Sequence, residues 1–175
     1  MRLPIIFLQT SALLADAGLS IMTYHQDQVG PIAIVISTRP ITGQDAFWVR
    51  RLMNASNVLL PEGGYIHHTI ATSALQRQPD EIETIEHVLG TRLSDEVILS
   101  CARNSLIAHR KLAHLTLKLA RHLDGMIDLT DQFEELAAAY QVVGRANDGR
   151  DFAYQIITPA SLELWMRHPH FRMAL

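Results

Sequence analysis

The chain has 175 residues, with 15 Lys and Arg against 18 Asp and Glu and a net charge of -3. This length suits one domain that buries roughly 70% of its extended-chain surface, so no disulfide or structural metal is needed for a core. A charge so close to balance sets up no bulk field that would draw nucleic acid or an anionic membrane, and neither is expected as a partner.

Residues 1–17 open with MR and PIIFL and close on Ala15-Asp16-Ala17, a loose imitation of a signal peptide. Pro4 and the polar Gln9, Thr10 and Ser11 interrupt the apolar run, which favours a first strand, Leu3 to Gln9, and a turn or short helix containing Leu13 and Leu14. No stretch approaches the ~20 apolar residues of a membrane span. Pro31 to Thr38, PIAIVIST, is apolar on both alternating faces and is expected as a central strand covered on both sides. Gln44 to Asn54 reads as a helix that docks Trp48 and Leu52 on the sheet and leaves Arg50 and Arg51 near solvent. The permissive Pro61-Glu62-Gly63-Gly64 loop feeds a short strand, Tyr65 to Thr69.

Pro79 to Leu89 carries Pro at a first helical turn, and Asp80, Glu81 and Glu83 where the helix dipole favours negative charge; Gly90 ends it. Glu96 to Ala102 is the next apolar strand. Its Cys101, the sole cysteine, has no partner for an internal disulfide and points to a reducing cytoplasm. The longest periodic stretch follows, Asn104 to Leu123. Ala108, Leu112, Leu115, Leu119 and Leu123 fall on one arc, while Arg110, Lys111, His114, Lys118, Arg121 and His122 make the opposite arc basic. Asn104 or Ser105 caps it, and Asp124-Gly125 supplies a residue for positive φ at its exit. Beyond it come a brief strand at Met126 to Leu129 and a short helix or helical turn across Asp131 to Ala139. A hairpin follows, from Tyr140 through the RANDGR turn to Thr158, and then a terminal helix, Ser161 to His168. The sum is a single α+β domain, residues 1–175: a mixed or antiparallel sheet packed with a long central helix and shorter helices.

Chemistry is harder to find. There is no HExxH and no CxxC; His67 and His68 alternate across a strand, and His109, His114 and His122 are spaced wrongly for one ligand set, so no metal or cofactor is expected. Cys101 has no adjacent base, and Gly63-Gly64 lacks the lysine of a phosphate loop. No catalytic residue is assigned.

Two stretches carry a family likeness. KLAHLTLKLARHLDGMIDL, Lys111 to Leu129, and WMRHPHFRM, Trp165 to Met173, with looser support from Phe47-Trp48-x-Arg50-Arg51, resemble an uncharacterised bacterial family of single-domain proteins. At Leu123 to Leu129 the chain departs from the glycine-aspartate-phenylalanine-like turn of those relatives. Such proteins look like the immunity proteins that neutralise bacterial toxins by binding. The resemblance implies a non-catalytic cytoplasmic protein whose partner is a cognate protein toxin. An inhibitor of that kind needs a rigid scaffold and complementary charge. Asp128, Asp131, Glu134 and Glu135, on turns after the helix exit, are favoured as its binding residues over Asp80, Glu81, Glu83 and Glu86, which helix-dipole compensation already explains. The alternatives are an enzyme acting on a small substrate and a regulatory or structural interaction domain. An enzyme requires a pocket with converging polar groups. A nucleic-acid binder requires an exposed basic arc on Arg110 to His122, continuous with further lysines or arginines.

Overall fold

The structure is a computed structural model that describes residues 30–55, 60, 65–73, 77–130, 132–136 and 139–173. The expected strand at 3–9, the turn after it and the loop at 61–64 lie outside the described residues. Six strands form one sheet: β1 (Ile32–Ser37), β2 (Ile66–Thr72), β3 (Asp95–Cys101), β4 (Met126–Asp128), β5 (Ala139–Arg145) and β6 (Asp151–Ile157), in the order β2-β3-β1-β4-β6-β5. Every pairing is antiparallel, so of the two expected sheet types the antiparallel one is realised. β1 is flanked by β3 and β4, and β3 by β2 and β1, which makes both apolar segments interior strands. Their lack of alternation has a plain cause. Ala33 and Val35 face one core, Ile34 and Ile36 the other, and all four are buried.

The larger core lies under a layer of three helices, α1 (Gly43–Ala55), α3 (Leu106–Leu123) and α4 (Pro159–Trp165). α3 buries Leu112, Leu115, Leu119 and Leu123 on the arc its periodicity predicts, capped by Ser105, whose hydroxyl accepts the Ala108 N–H. α1 is rotated from expectation: Val49 and Met53 are its fully buried residues, while Trp48 and Leu52 are partly buried at the edge of the core. Trp48 instead stacks on His122 of α3, ring centroids 3.8 Å apart. The opposite sheet face is covered by one helix, α2 (Pro79–Leu89), which sets Ile85 against Ile34, Ile36, Val142 and Ile156. None of the described helices is long and apolar enough to cross a membrane.

At the α3 exit, Asp124 rather than the glycine takes the left-handed conformation, φ 50°. Gly125 answers a different need. A Cβ there would lie 2.6 Å from the Ile36 carbonyl oxygen, so the glycine lets β4 start tight against β1. Of the short helix or helical turn expected across 131–139, the described residues show a turn: the Leu136 N–H donates to the Phe133 carbonyl at 3.1 Å, Phe133 and Leu136 are buried, and β5 begins at Ala139. Gln155, a buried amide on β6, ties this turn to the sheet. Its Oε1 accepts the Phe133 N–H at 2.8 Å and its Nε2 donates to the Phe133 carbonyl at 3.0 Å. α4 starts two residues early because Pro159 fits its first turn and the Thr158 hydroxyl accepts the Ser161 N–H. It ends at Trp165, ahead of Pro169 as expected. Phe171 and Met173 then fold back into the larger core.

That return is held by His109, a buried residue in the first turn of α3. Its Nδ1 accepts the Met173 N–H at 2.9 Å, so the ring proton resides on Nε2 and is donated to Asn104 Oδ1 at 2.8 Å. Only the neutral ring satisfies both bonds. Burial, followed by the Arg172 cation, holds its pKa below the usual histidine value. The unfolded chain therefore takes up the proton first, and this stabilisation is complete above the unfolded pKa of about 6.5 and lost as the pH falls through the folded value. Urea midpoints measured at about pH 7.5 and pH 5.5 are expected to differ less in His109→Gln than in the parent chain. Equal differences would show that His109 does not gate the tail.

Candidate functional site

Of the four favoured carboxylates, Asp128 does not share the surface that presents Glu134 and Glu135. Asp128 is fully buried at the end of β4, where a direct role in binding is closed to it. It lies on the α2 face of the sheet, and its Oδ2 accepts Arg77 Nη2–H at 2.8 Å while Oδ1 accepts the Thr130 N–H at 2.7 Å. Asp131 lies outside the described residues. Glu134 and Glu135 are exposed, and Glu135 faces the C-terminal segment, 3.5 Å from His170 Nδ1.

Around Asp128 the fold builds an ionic cluster. Arg77 enters just ahead of α2 and donates Nε–H to Glu96 Oε1 at 2.6 Å, with its guanidinium 4.9 Å from the Tyr154 ring centroid. The register explains the convergence: Ile36 of β1 pairs with Glu96, and Ile34 with Asp128, so both carboxylates emerge on the face that α2 covers. Burial opposes the charge on Arg77, but attraction from Asp128 and Glu96 outweighs it and holds the guanidinium above its ordinary pKa. Burial pushes the Glu96 carboxyl up, more than Arg77 draws it down. Its Oε2 and the nearby Ser73 hydroxyl are buried without a well-formed hydrogen bond. Burial, then the Glu81 carboxylate, likewise raises the Tyr154 hydroxyl. Both carboxylates are sealed from solvent and Arg77 nearly so, which makes the cluster the attachment of α2 to the sheet rather than a place where substrate meets chemistry. Arg77 escaped the sequence reading because SALQRQPD has no periodicity. The available signal was a carboxylate inside each of two apolar strands, Glu96 beside Asp95 in one and Asp128 in the other, each of which demands a partner when buried.

The second acidic group is committed locally. Glu81 accepts the Gln78 N–H, Glu86 the Leu93 N–H, and Asp80 the Asn147 N–H of the β5–β6 turn; Glu83 alone stands clear in solvent.

Charge is left over on the helical layer. Arg110, His114, Lys118, Arg121 and His122 are exposed along α3, Arg51 on α1 and Arg167 just beyond α4 are exposed on the helices beside it, and Arg50 is exposed on α1 towards His68 of β2, whose pKa is held down by burial and then by the Arg50 charge. α3 lies between the other two helices: Trp48, near the start of α1, meets its last turn, and Arg121 pairs with Glu163 of α4 at 2.6 Å. Carboxylates on this layer are few and shared. Glu163 serves both Arg121 and Arg167, and Asp45 serves both Arg39 and His122. The Arg39 and then the Thr42 hydrogen bonds hold the Asp45 carboxyl far below its usual range. Among the described residues, Arg50, Arg51, Arg110 and Lys118 pair with no carboxylate. The result is a basic surface on a rigid three-helix support, on a chain whose net charge is negative.

A concavity of about 520 Å³ lies along the β5–β6 hairpin, lined by Thr130, Gln132, Val143, Gly144, Asp151, Phe152 and Ala153. It opens widely to solvent, and among the described residues that line it Asp151 is the one titratable side chain, without the convergence of polar groups that turnover requires. His67 and His68 point to opposite sides of β2, as strand geometry dictates. Among the described residues no three His, Cys, Asp or Glu side chains are placed to share a metal ion.

Comparison with known proteins adds one relationship. No curated protein and no solved structure matches the chain. A family of unknown function (DUF6368) matches residues 27–174, a span that takes in every strand and helix described above and both stretches that carry the family likeness. The match extends over most of the sequence, and this chain belongs to that family.

Proposed function

We propose that the protein acts by binding rather than by turnover, sequestering a cognate protein toxin in the manner of an immunity protein. The observation that carries this reading is the unneutralised charge on the three-helix layer, set on a scaffold whose buried Arg77, Glu96 and Asp128 pair with one another inside the fold. Lys111 to Leu129 and Trp165 to Met173 resemble an uncharacterised family whose members look like immunity proteins, and that likeness supplies the toxin as the class of partner. Of the carboxylates first favoured for contact, Glu134 and Glu135 remain available at the surface beside the C-terminal segment. Co-expression with the product of the adjacent gene is expected to give a complex that survives purification and to rescue growth of cells that express that product alone. Absence of both complex and rescue, together with turnover of a small molecule that one point substitution abolishes, would replace binding by catalysis.

A further inference from the structure

We propose that the solvent face of the helical layer is a docking surface for an acidic helical segment of a protein partner. Ile107, Arg110, His114, Lys118 and Arg121 succeed one another along α3 at steps of three, four, four and three residues, and all five are exposed. At 1.5 Å per residue the row is about 21 Å long. Steps of three and four are those by which one helix lays a seam along another. A helix laid along α3 would therefore meet Arg110, His114, Lys118 and Arg121 on successive turns, and it matches them by carrying carboxylates at the same spacing. Arg110 and Lys118 have no carboxylate partner among the described residues, so their charge is available to one from outside.

The apolar groups on the same layer decide between protein and nucleic acid. Phe47 is 63% exposed on α1, Ile107 52% on α3 and Leu164 64% on α4. Aliphatic side chains gain nothing from phosphates, and single-stranded bases are held by stacked aromatic rings, of which Phe47 is the one well exposed on this face among the described residues. Large apolar groups set among arginines are the anatomy of a protein interface. This assignment does not require the partner to be a toxin, and it stands or fails apart from growth rescue.

The test is fluorescence anisotropy on the full chain with three probes. The first is a helical peptide of about 18 residues with Glu at steps of three and four and Leu beside them. The second is the same peptide with Gln for each Glu, and the third a DNA duplex of about 20 base pairs. The Glu peptide is expected to bind saturably, about tenfold or more tighter than either other probe. The double variant Arg110→Glu with Lys118→Glu, both on exposed helix positions, is expected to weaken it about tenfold while leaving the urea midpoint in place. Phe47→Ser is expected to weaken the peptide and leave the duplex unaffected. No saturable peptide binding up to about 1 mM, or peptide binding indifferent to the double reversal, overturns the proposal. Tighter binding of the duplex than of the Glu peptide also overturns it and makes the face a phosphate-binding surface.

Discussion

Arg77→Ala is expected to lower the stability of the protein by about 3–5 kcal/mol, because it strands the Glu96 and Asp128 carboxylates in the smaller core without a counter-charge. Neither carboxylate can turn to solvent, since both are built into strands that lie beneath α2. The loss reports an uncompensated burial and not the net worth of the ion pairs, whose own desolvation is large. Two companions separate these effects. In Arg77→Met combined with Glu96→Leu and Asp128→Asn, no charge remains buried and Asn still accepts the Thr130 N–H, so most of the lost stability is expected to return. Glu96→Gln keeps an acceptor for Arg77 Nε–H and replaces a carboxyl that burial already pushes towards its neutral form, so its cost is expected to stay within about 1 kcal/mol. Urea unfolding of the four proteins decides the matter. A triple variant no more stable than Arg77→Ala would mean that the cluster contributes through packing against Tyr154 rather than through charge balance.

Trp165→Ala is the second large effect, about 3–5 kcal/mol. Trp165 is buried at the end of α4, with its ring centroid 5.4 Å from that of Phe133 and 6.2 Å from that of Phe171, and its indole Nε1–H donates to the Arg172 carbonyl at 2.8 Å. One side chain thus joins the terminal helix, the 132–136 loop and the returning C-terminus. With a urea dependence of about 1–3 kcal/mol per molar, the midpoint is expected to fall by about 1–5 M. Removing residues 165–175 should do at least as much, since Phe171 and Met173 leave the larger core with it. An unchanged midpoint after that deletion would show the segment to be a tail, free to present Arg167, His168 and His170 as a mobile epitope.

What could be read from residues alone was whatever depends on neighbours along the chain. The uninterrupted apolar runs at Pro31 to Thr38 and Glu96 to Ala102 marked interior strands, because only a strand covered on both faces can spare alternation. The 3.6-residue periodicity of α3 placed its buried arc and its basic arc correctly, since both follow from helix geometry. At 131–139 the sequence left a turn and a short helix open; the turn forms, tied to the sheet by Gln155, a side chain from another strand that no local propensity records. α1 was turned by one position for a related reason. The size of Trp48 favoured it for the core, but the nearby end of α3 offered it His122 to stack upon. The site was less legible still. Whether a carboxylate such as Asp128 faces a partner or a buried arginine depends on strand register, and whether Arg51 and Arg167 extend the basic arc of α3 depends on which helices share a sheet face. The sequence by itself determined the elements, their polarity and the absence of a bulk electrostatic field. Only the tertiary structure decided which charges are spent inside and which are left for a partner, because pairing distance falls as residues distant in the chain are brought together.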